Sequence, residues 1–314
     1  MDSEPLHDPP SISPSMGPPP EEFPGNIFLN DGGLRAGWRL LVYALFVAGA
    51  RSRRGGILLL QFVPPLRSLS FSGYLFADEA FCFLVVFGAA LIMARLERRP
   101  AGVYGLPLQG AFEKLFWQGC LFGLAEISAL IGLVSALGGY SFGSLALTGR
   151  ELLRWGILWA IFFILVGLFE EFLFRGYTQF TLADGIGFWP AAILLSCFFG
   201  AVHLDNPGED WVGAASVVSI GLVFAFALRR TGNLWFAVGW HASFDFGETF
   251  LYSVPNSGVV FDGHLSNATL HGANWLTGGS VGPEGSVFSF VTMGISALAI
   301  HFLFPAKNKK PALD

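Results

Sequence analysis

The sequence predicts an all-α protein, a polytopic membrane bundle of about eight transmembrane helices. Of its 314 residues, 53% are hydrophobic and only 13% are charged, and the mean hydropathy is +0.57. Soluble domains carry about 25% charged residues, so this chain has roughly half the usual charge. Apolar runs separated by short polar breaks recur from Trp38 onward. The composition therefore excludes both a disordered chain and an ordinary soluble globule.

Eight apolar segments are candidates for membrane spans, because each approaches the length that crosses a bilayer. The first is interrupted by Arg51, Arg53 and Arg54, which leave an apolar stretch too short to cross alone. Either these arginines reach an interface or face the bundle, or this segment lies partly in the membrane surface. The predicted spans are 38–62, 74–94, 115–137, 153–182, 187–204, 211–228, 234–253 and 284–304.

Composition also divides the chain into three regions. Residues 1–33 are rich in Pro, Ser and acidic side chains, which predicts a disordered tail. Residues 34–306 form the predicted membrane domain, with its polar motifs at 150–250, and residues 307–314 form a basic C-terminal tail. The net charge of −5 is small and thinly spread, so nucleic acid is not an expected partner. The lipid bilayer is an expected partner.

Basic residues near the span ends predict the orientation, since they are enriched in cytoplasmic loops. Four basic groups fall on one side together with both termini, which places both termini in the cytoplasm. Arg51, Arg53, Arg54 and Arg67 and the Arg150/Arg154 pair lie on the other side. The short loops favour a bacterial cell membrane. The four concordant groups are Arg35 with Arg39; Arg95, Arg98 and Arg99; Arg229 with Arg230; and Lys307, Lys309 and Lys310.

The fourth span contains two adjacent carboxylates and an arginine inside an apolar run. Ionisable residues in such helices are costly and usually functional. Arg175 lies four residues after Glu171, so the two share a helix face and are expected to pair. Glu170 points about 100° away and is left without that partner. An unpaired buried carboxylate suits a general base, which predicts that Glu171 anchors the helix and Glu170 acts as the base.

Two other spans carry histidines with a polar or aromatic neighbour one turn away. Phe199 precedes His203 by four residues, so its ring is expected to wall one side of the imidazole. His241 and Asp245 have the same spacing in the seventh span. Counted along straight helices, Glu170 and His203 lie roughly 20 Å and 24 Å from their cytoplasmic ends, and His241 only about 10 Å. A tilt or kink must therefore bring His241 to the other two.

Each of these patches also has a purely structural interpretation. The glutamates and Arg175 are compatible with a polar seam between helices. His203 alone is compatible with a structural histidine at a helix end whose hydrogen bonds are all made. The His241/Asp245 pair is compatible with two buried groups that only orient each other. Their combination in one membrane bundle favours function.

The three motifs together resemble those of a known family. They match, in order, the EExxxR, FxxxH and HxxxN/D signatures of the CAAX prenyl endopeptidase/bacteriocin-processing (CPBP, Abi-like) intramembrane proteases. The similarity covers roughly residues 150–250. In this sequence the motifs are Glu170-Glu171…Arg175, Phe199…His203 and His241…Asp245.

The resemblance implies a role for each of these residues. Glu170 and His203 would activate the attacking water, and His241 with Asp245 would stabilise the oxyanion. Glu171 and Arg175 would hold the site. Asp245 stands where other members of the family have Asn, and an ionised carboxylate only accepts hydrogen bonds. Its role is then to fix the His241 tautomer or to ligate a metal.

Two versions of the chemistry fit these residues. In one, Glu170, His203, His241 and Asp245 ligate one divalent metal such as zinc, which acidifies a bound water. In the other, no metal is bound and the Glu170/His203 pair polarises the water directly, with His241 as donor to the oxyanion. An HExxH helix, which would have favoured zinc, does not occur among these motifs.

The predicted function is hydrolysis of a peptide bond in a membrane-associated or lipidated peptide or protein. One alternative is a non-catalytic membrane protein that binds a peptide or confers immunity to a bacteriocin. Another is a proton-coupled carrier that uses Glu170 and Arg175, although the sequence has no detectable repeats of the kind carriers contain.

Overall fold

Helices make up most of the protein in the computed structural model, which describes residues 27–30, 33–51 and 71–305. Several predicted features lie outside the described residues: positions 1–26 of the predicted 1–33 tail, Arg53, Arg54, Arg67 and the basic C-terminal residues. The helices are α1 (Ala36–Arg51), α2 (Phe71–Leu96), α3 (Lys114–Ala136), α4 (Gly149–Arg175), α5 (Tyr177–Ile186), α6 (Phe188–His203), α7 (Trp211–Thr231), α8 (Trp235–Phe246), α9 (Asn274–Thr277) and α10 (Val287–Leu303).

Short elements connect these helices. One-turn 3-10 helices occur at Ala101–Tyr104 and Pro283–Gly285, and a π turn at Gly247–Leu251 continues α8. Strand β1 (Leu29–Asn30) pairs antiparallel with β2 (Gly33–Leu34) in a separate N-terminal unit that ends at Arg35. Strand β3 (Tyr140–Ser141) pairs antiparallel with β4 (Thr269–Leu270) within the helical unit.

Within the described ranges, four helical segments are long and apolar enough to cross a membrane. They are Gly73–Leu96, Lys114–Ala136, Gly149–Ile186 and Trp211–Thr231, and three shorter apolar helices accompany them at Ala36–Ala50, Phe188–His203 and Val287–Leu303. Each of the eight predicted spans coincides with a helix over the part of it that the structure describes. The predicted all-α membrane bundle is confirmed.

The fourth predicted span is not one straight helix, because the chain leaves the α conformation at Gly176. Glycine has a low intrinsic helix propensity. A Cβ at this position would also lie 2.3 Å from the carbonyl oxygen of Phe172, so a side chain does not fit. The span is therefore divided into α4, which ends at Arg175, and α5.

Glycines bring several helix pairs into backbone contact, as small residues do in membrane interfaces. A Cβ at Gly119 of α3 would lie 2.0 Å from the Phe236 carbonyl oxygen of α8. A Cβ at Gly239 of α8 would lie 2.2 Å from the Phe116 carbonyl oxygen of α3. In the α6–α7 pair, a Cβ at Gly200 of α6 would lie 2.6 Å from the Ala214 carbonyl oxygen of α7. Helices α3 and α8, and likewise α6 and α7, are closely interlocked.

A partly buried polar network joins α1, the residues that follow α2, and α5. Arg39 contacts Glu97 at 2.5 Å and Asp184 at 2.9 Å, and Arg99 contacts Asp184 at 2.8 Å. Two tyrosine hydroxyls, of Tyr104 and Tyr177, also donate hydrogen bonds to Glu97. We call Arg39, Glu97, Arg99 and Asp184 the α1–α2–α5 network.

Candidate active site

Helix α4 carries a buried ion pair between two side chains that lie four residues apart on one face of the helix. Glu171 Oε1 and Arg175 Nη1 are 3.2 Å apart, and their side chains are 0% and 1% exposed. This is the pairing that the sequence spacing predicts. The guanidinium also lies over the Phe199 ring, 4.4 Å from its centroid. A Cβ at Gly221 would come within 2.5 Å of Arg175 Nη2, so a glycine there leaves room for the guanidinium.

The imidazole of His241 lies among three carboxylates. Its Nδ1 is 3.0 Å from Glu171 Oε1, and its Nε2 is 3.4 Å from Asp245 Oδ2 and 3.6 Å from Glu170 Oε2. The one-turn spacing of His241 and Asp245 therefore brings them together as expected. Two contacts were not foreseen from the sequence. Glu171 holds His241 as well as Arg175, and Glu170 has His241 as a neighbour.

The break at Gly176 explains how α4 and α8 bring their side chains to one level. Glu170 lies five residues before the end of α4, or about 8 Å along its axis. His241 lies six residues after the start of α8, or about 9 Å. The predicted mismatch arose from treating the 153–182 span as one straight helix, whereas the break at Gly176 brings the end of α4 closer to Glu170.

His203 is the last residue of α6, and its ring is held from two sides. Its Nδ1 is 2.8 Å from the carbonyl oxygen of Phe199, and the two rings meet edge to face with centroids 4.6 Å apart. A carbonyl oxygen only accepts, so Nδ1 carries the hydrogen and the neutral ring has its lone pair on Nε2. In the described part of the chain no ion pair joins His203 to Glu170.

A cavity of about 240 Å³ collects the predicted residues. Glu170, His203, His241 and Asp245 all line it, so α4, α6 and α8 each contribute to one site. Much of the remaining wall is aromatic, which lowers the local dielectric around the carboxylates and strengthens their interactions. The aromatic wall residues are Phe162, Phe163, Phe199, Phe224, Trp240, Phe244 and Phe261.

Several polar residues of this cavity were missed by the sequence analysis. Glu126 of α3 is buried and accepts a hydrogen bond from Trp240 Nε1 at 2.8 Å. A lone carboxylate within the apolar 115–137 span was the signal that would have found it. Glu284 accepts a hydrogen bond from the Ser257 backbone, and burial raises its pKa to about 8. No spacing links Glu284 to the motifs, because a loop carries it into the site.

The four candidate metal ligands do not form a chelating group in this arrangement. Among residues 27–30, 33–51 and 71–305, no three His, Cys, Asp or Glu side chains come together as metal ligands would. His203 Nδ1 faces a carbonyl oxygen, and both nitrogens of His241 face carboxylates. The donor set, as it is arranged here, does not fit a metal ion.

Comparison with known proteins supports the protease assignment. Residues 152–247 match the family model described as Type II CAAX prenyl endopeptidase Rce1-like. The match confirms the resemblance and contains every predicted site residue. No curated protein and no solved structure matches the chain. With its apolar helices, the chain is a multi-pass membrane protein, and residues 152–247 are similar to an endopeptidase family.

Proposed function

We propose that this protein is an intramembrane endopeptidase that cleaves a membrane-associated or lipidated peptide by a water molecule activated at Glu170 and His203. The observation that carries this proposal is the convergence of Glu170, His203, His241 and Asp245 on one cavity within an apolar bundle. Prenylated CAAX proteins, which the family name states as substrates, are one member of this substrate class.

Glu170 and His203 are the proposed bases. The Phe199 carbonyl oxygen fixes the His203 hydrogen on Nδ1, which leaves the Nε2 lone pair to accept a proton. Glu170 is supplied by a different helix and lines the same cavity. A water molecule held between them would lose its proton to one base as its oxygen attacks the peptide carbonyl. The protonated base then gives this proton to the amine nitrogen as the peptide C–N bond breaks.

His241 is the proposed donor to the oxyanion that forms in this attack. Glu171 Oε1 lies 3.0 Å from Nδ1 of this histidine, and the contact orients the ring. The contacts of Nε2 with Asp245 and Glu170, at 3.4 and 3.6 Å, are longer than an ordinary N–H···O hydrogen bond. The Nε2–H of a protonated ring can therefore donate a hydrogen bond to a developing oxyanion. Asp245 accepts only, and we assign it the orientation of His241.

The test is cleavage of fluorogenic membrane peptides by the purified full-length protein in detergent. Glu170→Gln and His203→Ala are expected to lose turnover by roughly 10²–10⁴-fold, because each removes a base. Glu151→Gln is the matched control, since Glu151 lies on the same helix with a side chain that is 52% exposed. Wild-type turnover in Glu170→Gln would contradict the proposal.

The same assay separates the alternatives. A peptide-binding or immunity protein would retain the peptide without cutting it, and a proton carrier would show pH-coupled uptake that Glu170→Gln removes. Activity that a chelator abolishes and zinc restores would assign the metal-dependent version.

We also propose that both termini face the cytoplasm of a bacterial cell. Support comes from Arg95 and Arg99 beyond one span and Arg229 with Arg230 at the end of another. A reporter fused after residue 314 that is accessible only from outside the cell would reverse this orientation.

A further inference from the structure

A second concavity, outside the candidate active site, lies along α2. Its volume is about 880 Å³. One wall is the α2 face over residues 87–99, and the other is the connecting segment over residues 102–109. The side chains on these walls are mainly apolar, including Phe87, Leu91 and Ile92 of α2 and Leu106 and Leu108 of the segment. We call this concavity the α2 groove.

The far wall of the α2 groove is fixed to another helix. The Leu234 backbone N–H donates to the Gly105 carbonyl oxygen at 2.7 Å, and Trp235 Nε1 donates to the Pro107 carbonyl oxygen at 2.9 Å. These bonds hold the segment against the start of α8. The space between it and α2 is therefore built into the fold.

Positive charge is concentrated at one end of the groove. Arg95 and Arg99 both line it, just where the α2 membrane span ends. Arg99 is engaged with Asp184 at 2.8 Å and with Glu97 at 3.5 Å. Arg95 is exposed and makes no ion pair within the described part of the chain. An arginine at the end of a span lies at the depth of lipid headgroups, where anionic lipids attract it.

We propose that the α2 groove binds an anionic glycerophospholipid of the surrounding bilayer. An acyl chain lies along the apolar walls, and the phosphate meets Arg95. Charge complementarity selects this occupant, since basic pockets at the ends of membrane helices bind anionic headgroups. This site is independent of the proposed peptidase activity, because none of its residues lines the catalytic cavity.

The headgroup part of the proposal is tested by titrating the full-length protein in detergent with phosphatidylglycerol or with phosphatidylcholine of the same acyl chains. Bound lipid is counted by native mass spectrometry, and melting temperature is followed in parallel. Wild type is expected to bind phosphatidylglycerol more tightly. Arg95→Gln should weaken that binding about fivefold. Arg98→Gln is the control, because Arg98 is exposed nearby and does not line the groove.

The acyl-chain part is tested by filling the groove. A Cβ built at Gly88, which lines the groove, meets nothing within 4 Å, so Gly88→Phe adds a ring to the apolar wall. Gly132→Phe on α3 is the matched control, since that position is equally open. Gly88→Phe should lose binding of both lipids while Gly132→Phe keeps it. Equal binding of the two lipids by wild type, or wild-type binding by Arg95→Gln or by Gly88→Phe, would overturn the proposal.

Discussion

The α1–α2–α5 network and the candidate active site are both clusters of charged side chains between helices, and they differ in burial and in the balance of charge. In the network, two arginines face two carboxylates, and both carboxylates receive hydrogen bonds from arginine. At the active site, Glu170, Glu171 and Asp245 crowd one imidazole, and Arg175 pairs with only one of them. Glu171 Oε2 and Arg175 Nη2 have no hydrogen-bond partner within the described residues.

The difference indicates what each cluster contributes. A buried group without its hydrogen bond costs free energy, so a cluster that serves only stability should pair its charges. The α1–α2–α5 network pairs each carboxylate with an arginine, although Arg39 Nε has no hydrogen-bond partner within the described residues. In the candidate active site, three carboxylates face one arginine and one imidazole, an imbalance that is typical of sites where polar atoms are kept available for chemistry. The variants below compare the two regions.

The largest expected effect is that of Arg175→Ala. Removing this arginine leaves Glu171 buried without its countercharge, a defect of about 3–5 kcal/mol in the free energy of unfolding. Activity should fall as well, because Glu171 also holds His241. Thermal unfolding in detergent beside turnover measures both. Arg99→Ala is the control, with a side chain that is 37% exposed and an expected loss below about 1 kcal/mol. Equal stability of the two variants would refute the comparison.

Arg39→Ala tests the balanced cluster. Its side chain is 8% exposed, and its loss leaves Glu97 with Arg99 and two tyrosines. The expected loss is about 1.5–3 kcal/mol, with turnover per folded molecule unchanged. A loss of turnover under conditions in which the variant is fully folded would show that the network also serves catalysis.

Glu126→Leu removes the acceptor of the Trp240 indole and should cost about 1–3 kcal/mol. Since Trp240 precedes His241 on α8, turnover should fall with it. Glu126→Gln is the matched variant, because its amide oxygen still accepts the same hydrogen bond. It should recover most of the stability and turnover. If both variants behave like wild type, Glu126 has no part in placing His241.

The smallest expected effect is a pH dependence through Glu284. Burial raises its pKa from 4.5 to about 8, so the folded protein binds more protons than the unfolded chain between these values. Stability should therefore decline as pH rises through this window. Melting temperature recorded between pH 5 and 8 should show a shallower slope for Glu284→Gln than for wild type. An unchanged slope would assign the pH dependence to other groups.

Much of the fold and of the site was accessible from the sequence for physical reasons. Apolar runs of membrane length mark helices without regard to tertiary contacts, and one-turn spacings such as Glu171/Arg175 and His241/Asp245 act within one helix. Both kinds of signal are local. The contact of Glu171 with His241 joins positions 70 residues apart and depends on where α4 ends.

What escaped prediction depends on long-range geometry. Gly176 could be read as a weak point in a helix, but only its fit against Phe172 shows that the helix ends there. Glu284 enters the cavity on a loop with no periodic pattern. The assignment of Glu170 as a base without a partner was incomplete for the same reason, because its neighbour His241 comes from another helix.

The two histidines of the candidate active site belong to two different interlocked helix pairs. His241 and Asp245 belong to the α3–α8 pair, whose backbones touch at Gly119 and Gly239. His203 ends α6, which is interlocked with α7. Arg175 spans the boundary, since it lies over a ring of α6, against Gly221 of α7, and bonds the carboxylate that holds His241. Arg175 therefore links the helix pair that carries His203 to the carboxylate that holds His241, the histidine of the other pair.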